Sequence, residues 1–267
     1  MGAGPPERGG FVSNCSLGNR AARNFAFVTL AAMSTLLKVL ALLPWVDWLA
    51  LVVFFGSWSG YAWFARDRAL TRPSVLASTN RVRRQWMLQT TYRGVRVLDG
   101  TVIQNLSTSP SFFASTTVLI IGGLLAVLGT SDKATELVRE IPFATANSVL
   151  IFDLKLILLL AVFVYAFFRF TWSMRQYTFG ALLVAAAPEA DQFRDQGLSR
   201  EAFANKAGRM VGLAAETFND GLRAYYMAFA AVSWFFSPVV FMFGTAGVIY
   251  ILYTREFRSE VLDILNS

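Results

Sequence analysis

The feature that most constrains this chain is a set of four apolar blocks, each long enough to cross a bilayer. A membrane-spanning helix needs about 20 mainly apolar residues to cross roughly 30 Å of hydrocarbon. The blocks lie near residues 45–64 (WVDWLALVVFFGSWSGYAWF), 112–128 (FFASTTVLIIGGLLAVL), 149–170 (VLIFDLKLILLLAVFVYAFFRF) and 226–253 (YMAFAAVSWFFSPVVFMFGTAGVIYILY). Lipid offers backbone groups no hydrogen bonds, so each block must pair its own N–H and C=O groups in a helix. The expected fold is all-α: a polytopic transmembrane helix bundle of four spans, with amphipathic helices on the cytosolic side. Trp45, Trp48, Tyr61, Trp63, Trp172 and Tyr253 fall near span ends, where amphipathic rings favour the headgroup level.

Basic residues set the expected orientation. Eight arginines (Arg66, Arg68, Arg72, Arg81, Arg83, Arg84, Arg93, Arg96) separate the first two spans, opposed by Asp67 and Asp99. The next connection holds Lys133 and Arg139 against Asp132, Glu136 and Glu140. The positive-inside rule therefore puts the first and third connections in the cytoplasm, and four spans then leave both termini outside. The formal net charge of +7 reads as a topology signal. A nucleic-acid partner would need a soluble basic module with interleaved aromatics, and no such module is visible.

Residues 1–32 read as an N-terminal extension, disordered or not translated, and residues 33–267 as a single membrane domain. Three readings of the start stand. Residues 25–43 form a fifth helix; or they are a signal peptide lacking a clear small-x-small cleavage site; or translation begins at Met33, which leaves Cys15 untranslated. The third is preferred, then the first.

On the cytosolic side, residues 80–106 read as one amphipathic helix. Met87, Thr91, Val95, Leu98, Val102 and Leu106 form its apolar stripe, opposite Arg81, Gln85, Gln89, Arg93 and Arg96. It lies either on the anionic leaflet or against the rest of the protein. Asp99 is expected to pair with Arg96, three residues earlier. Ser107 to Pro110 reads as a polar break before the second span. The third span is expected to continue as helix to residue 187, followed by a charged loop and an N-cap at Ser199. Gly208 and Gly212, four apart, permit close helix contact, read as ordinary packing.

Composition also removes chemistry. The chain has no histidine and one cysteine. That excludes histidine general bases, Ser-His-Asp and Cys-His nucleophiles, His-ligated zinc and haem, intrachain disulfides and thiolate metal sites. No phosphate-binding Gly-rich loop or zincin helix is present, and no cofactor is expected. Ser115, Thr116 and Thr117 lack an adjacent activating base and read as span hydroxyls bonding across helices or to the preceding turn.

The polar residues left are the candidates. Glu216, Asn219, Arg223 and Tyr226 follow steps of three, four and three, so they share one helix face at the entrance to the fourth span. Such a face can hold an anion such as a lipid phosphate through forked hydrogen bonds, or fix the cytosolic helices internally. Trp172, Arg175 and Gln176 form a second cluster, which also reads as interfacial anchoring, with Arg169 snorkelling to the inner surface. Asp153 and Lys155 lie in the outer part of the third span, and Lys155 is expected to snorkel outward. Ser237-Pro238 breaks the fourth span and reads as a structural kink.

Three runs in order, SFFASTTVLIIGGLLAVLG (111–129), DLKLILLLAVFVYAFFRFTWSMRQY (153–177) and FNDGLRAYYMAFAAVSWFFSP (218–238), resemble one bacterial membrane-protein family, domain of unknown function 599. The resemblance covers about residues 45–254. It carries signature positions at Phe112, Phe113, Arg175, Asn219, Arg223, Tyr225 and Tyr226. It implies a small multi-span inner-membrane protein and no particular activity.

The leading expectation is a non-enzymatic inner-membrane component that binds a lipid headgroup, an anion or a partner membrane protein at its cytoplasmic face. Arg96, Arg175, Asn219 and Arg223 would form the pocket, with Asp99, Glu216 and Tyr226 beside it. Homo-oligomers remain open. Two alternatives stand: a small transporter or channel using the broken fourth span, and a carboxylate enzyme working through Glu216, which needs a second ionisable group within reach.

Overall fold

The computed structural model describes residues 2, 43–71, 73–131, 149–195 and 197–266. Residues 1 and 3–42, with the candidate fifth helix, Cys15 and Met33, lie outside the described residues. So does the 132–148 connection with Lys133 and Arg139. The chain divides into two units, residues 1–48 and 49–267. In the first, Pro44 opens a helix, and its carbonyl accepts from the N–H groups of Asp47 and Trp48. The second unit contains every helix that begins after residue 48.

The described elements are all helical: α1 Trp45–Thr71, α2 Val75–Thr90, α3 Val97–Leu128, α4 Val149–Ala185, α5 Ala190–Asp195, α6 Arg200–Ser233, α7 Pro238–Phe257 and α8 Glu260–Asn266. Four stretches are long and apolar enough to cross a membrane, in α1, in α3, in α4 and from Pro238 onward. The protein is a multi-pass membrane helix bundle.

The longest helix, α4, is the spine, and α6 runs antiparallel along it. Ser173 Oγ donates to the Ala214 carbonyl at 2.7 Å. Further along, Gly221 faces the Phe170 ring, and at the far end Lys155 Nζ donates to the Trp234 carbonyl at 2.9 Å. The third span therefore continues well past the bilayer as one helix, as the uninterrupted sequence to Pro188 predicts. Ser199 caps α6, its Oγ accepting from the Ala202 N–H at 3.1 Å.

The fourth span differs from expectation. Residues 226–253 are not one kinked helix but two antiparallel limbs. The helix α6 ends at Ser233. Ser237 then caps α7 through the Val239 N–H at 3.2 Å, with Pro238 in the first turn, where its missing N–H costs nothing. Trp234 stacks on Phe241 inside the bend, rings 5.4 Å apart. A Cβ on Gly244 would sit 3.0 Å from Ser233 Oγ, so glycine lets the limbs close. The second half of α6 packs along the apolar part of α4; residues 216–225 are largely polar, so only 226–233 entered the fourth apolar block. In consequence α7 returns to the end of the bundle that carries α2: Glu256 Oε1 accepts from the Leu76 N–H at 3.1 Å. The α7 C-terminus therefore lies at the arginine-rich end and not at the opposite one.

The amphipathic helix expected over residues 80–106 is also broken. The helix α2 stops at Thr90, where Thr90 and Thr91 hydroxyls turn back onto the Trp86 and Leu88 carbonyls, and α3 starts at Val97. The break swings the apolar stripe apart: Met87 and Thr91 are buried, while Val95 and Leu98 are exposed. Met87 joins Ile103, Tyr177, Val184, Ala207, Val211 and Ala214 in a core beyond the spans. Burying the larger of these, Met87, Ile103, Val184 and Val211, stabilises by about 1.5–3 kcal/mol each, which makes this layer a packed unit. Gly208 and Gly212 do serve packing: a Cβ there would meet Arg84 Cα at 3.0 Å and Asn80 Oδ1 at 2.8 Å, so α2 lies directly on α6. The polar break expected at Ser107 to Pro110 does not occur, and α3 runs unbroken through Pro110. Spanning helices tolerate proline where neighbouring groups re-satisfy the freed carbonyl.

Candidate functional site

The face predicted on α6 lies where the spans give way to the packed layer. Glu216 Oε1 accepts from Asn80 Nδ2 at 2.9 Å. Asn80 Oδ1 in turn accepts from Arg83 at 2.7 Å. Burial lowers the Arg83 pKa, partly offset by the nearby Tyr177 and Glu216 charges, yet a guanidinium stays protonated at neutral pH. Arg223 donates to Asp220 Oδ1 at 3.1 Å, and Arg169 ion-pairs with the other oxygen of the same carboxylate. Arg169 is thus not snorkelling to a headgroup: the antiparallel α6 brings Asp220 to it. Arg223 also lies over the Tyr61 ring, 5.6 Å from its centroid. Tyr226 accepts a hydrogen bond from Arg255 of α7.

Two cavities open on this network. One, of about 140 Å³, is formed by Tyr61 of α1, Asn219, Arg223 and Tyr226 of α6, and Arg255 and Glu256 of α7. The other, of about 250 Å³, reaches Arg169, Glu216 and Asp220, and shares Asn219 and Arg223 with the first. The Asn219 side chain, between the two, makes no hydrogen bond with a described residue. The structure therefore brings Glu216, Asn219, Arg223 and Tyr226 together.

It does not bring Arg96, Asp99 or Arg175 to them. Arg96 donates to the Ala187 carbonyl at 2.6 Å, to the Pro188 carbonyl and to Thr90, closing the end of α4. Orphan carbonyls at a helix C-terminus attract a cation, and that accounts for its position. Asp99 does not pair with Arg96. It is fully buried and accepts from Trp86 Nε1 at 2.7 Å, Thr90 Oγ1 at 3.1 Å and Arg93 at 2.5 Å. Arg175 is exposed on α4, 5.9 Å from the Phe179 ring centroid. The four-residue pocket expected from Arg96, Arg175, Asn219 and Arg223 is thus replaced by one of Asn219 and Arg223 with Tyr61, Tyr226 and Arg255.

Lys155 departs from expectation as well. It is 2 % exposed and caps α6 through the Trp234 carbonyl instead of reaching outward. The space between α3, α4 and α6 is filled by Phe113, Phe163, Phe170, Phe218 and Tyr225 in mutual ring contact. Thr117 and Tyr225 share a 2.7 Å hydrogen bond there.

Sequence reasoning missed Asp220, Arg169, Tyr61 and Arg255. Asp220 was legible, since it stands three residues before Arg223 and such pairs meet on a helix. The others come from different spans, and no spacing along one helix signals them.

A family profile described as "Protein of unknown function, DUF599" matches residues 49–261. The chain belongs to the DUF599 family. No curated relative and no solved structure matches it. The four long apolar helices are those of a multi-pass membrane protein, and the DUF599 description assigns no activity to the α1, α6 and α7 pocket.

Proposed function

We propose that this protein is a non-enzymatic bacterial inner-membrane component that holds the phosphate of a phospholipid headgroup at its cytoplasmic end. The observation that carries the reading is the pocket where Arg223, Arg255, Asn219 and the Tyr61 and Tyr226 side chains line one cavity at the end of the spans. Guanidinium, amide and phenol groups all donate to phosphate oxygens, and the planar guanidinium does so through two parallel bonds. Glu256 on the same wall suits the ammonium of a zwitterionic headgroup. The arginine-rich end faces the cytoplasm under the positive-inside rule. The space between α3, α4 and α6 is filled by aromatic rings, and its Thr117 and Tyr225 hydroxyls are bonded to each other, which disfavours a transport path there.

The test is mass spectrometry of the full chain released from native-like lipid discs, wild type against Arg223→Ala and Arg255→Ala. Retained phospholipid in the wild type and its loss in both variants support the reading. Equal lipid retention by all three proteins refutes it. A retained protein partner that Arg223→Ala releases without change in lipid would assign the pocket to protein docking instead.

A further inference from the structure

We infer that the groove between α2 and α6, beyond the spans, binds a soluble phosphate-bearing small molecule. The groove encloses about 420 Å³ between Asn80 and Arg84 of α2 and Asn205, Arg209 and Glu216 of α6. That volume falls within the range of small-molecule sites. Its floor is built by Gly208 and Gly212, whose missing side chains let α2 approach α6 so closely.

The half-buried guanidiniums of this layer have polar partners, whereas the exposed Arg81 and Arg175 have none among the described residues. Arg83 is hydrogen bonded to Asn80 and Thr79, Arg93 to Asp99, and Arg169 and Arg223 to Asp220. Arg84 and Arg209 make no hydrogen bond or ion pair with a described residue, and neither does the Asn205 amide. The one carboxylate in the wall, Glu216, accepts from Asn80 and is balanced by the nearby Arg83. Two uncommitted positive charges and an amide donor are left facing one polar groove. Guanidinium forks match phosphate oxygens in geometry and charge, so a diphosphate or phosphorylated metabolite fits this lining where a hydrocarbon does not.

The ligand is soluble because of where the groove lies. Arg209 precedes Arg223 by 14 residues on the single helix α6, about 21 Å at 1.5 Å per residue. A headgroup held at the end of the spans does not reach it. The groove shares Glu216 with the cavity beside Arg223 but has Arg84, Asn205 and Arg209 to itself, so binding is read on residues that the Arg223 pocket does not use.

The experiment is calorimetric titration of inorganic pyrophosphate into the full chain, held in discs of phosphatidylcholine alone. Saturable binding by the wild type is expected, at least tenfold weaker in Arg84→Gln and in Arg209→Gln, with unchanged thermal unfolding in both variants. Absence of binding up to millimolar pyrophosphate overturns the proposal. Equal binding by the wild type and both variants does so too. A second arm adds phosphatidylglycerol to the discs: unchanged pyrophosphate affinity supports a soluble ligand, and its abolition would reassign the groove to a lipid headgroup.

Discussion

Replacing Gly221 by alanine is expected to destabilise the bundle, although alanine is the better helix former by about 1 kcal/mol. The reason is the seat that Gly221 provides for Phe170. A Cβ at this position would stand 2.5, 2.7 and 2.9 Å from three atoms of the Phe170 ring, against about 3.5–4.0 Å for relaxed carbon contacts. The ring would have to retreat by roughly 1 Å. It has no room to do so: it is fully buried and in ring contact with Phe113, Phe218 and Tyr225 at 5.3, 5.6 and 5.5 Å. Overpacking costs about 1–3 kcal/mol, and loosening an aromatic pair costs a further 0.5–1.5 kcal/mol or so. Set against the propensity gain, the net loss is about 2 kcal/mol. Gly60→Ala is the control, because nothing lies within 4 Å of a Cβ at Gly60 and only the propensity term acts. Unfolding of the two variants by sodium dodecyl sulfate titration, followed by tryptophan fluorescence, reads the difference directly. A second substitution, Phe170→Leu, should recover part of the loss in Gly221→Ala, since residues in contact couple. If Gly221→Ala unfolds together with Gly60→Ala, the close approach of α4 and α6 is not what holds this junction.

The geometry sets two further outcomes. Asp99→Ala leaves the half-buried Trp86 N–H and the partly exposed Arg93 guanidinium without their acceptor, so a loss of about 1–3 kcal/mol is expected, and Arg96→Asp cannot rescue it because Arg96 serves the α4 end; normal unfolding of Asp99→Ala would contradict this. Single cysteines at Leu198 and Val261, in a chain with Cys15 replaced by serine, should react with an impermeant maleimide from the same side of the membrane, and one at Thr130 from the other; opposite labelling of 198 and 261 would remove the α6–α7 hairpin.

Much of the architecture could be read along the chain because each span is a local statement. About 20 apolar residues must be helical in lipid whatever surrounds them, so the stretches in α1, α3 and α4, the long run of α4, and the Ser199 cap were all legible. Expectations failed where a second helix decides the outcome. The stretch at 226–253 is apolar throughout, and hydropathy does not distinguish one long span from two limbs folded at Ser237-Pro238. The same holds for polar partners. Arg96, Asp99 and Arg169 each have a plausible neighbour in sequence, yet each satisfies a group brought by another helix.

The sequence by itself determined that this is an all-helical, multi-pass membrane protein with eight arginines gathered between its first two spans, because burying backbone in lipid and counting basic residues are one-dimensional problems. The family membership rests on the same linear information. Only the tertiary structure decided which arginines are paired and which remain available. The antiparallel packing of α6 on α4 brings Arg169 to Asp220, which Arg223 already meets one turn along α6, and the end of α4 claims Arg96. The close seat of α2 on two glycines leaves Arg84 and Arg209 uncommitted over a groove. The reason is physical: a charge near low-dielectric surroundings goes to the nearest opposite charge or orphan carbonyl, and what is nearest is set by helix packing, not by sequence distance.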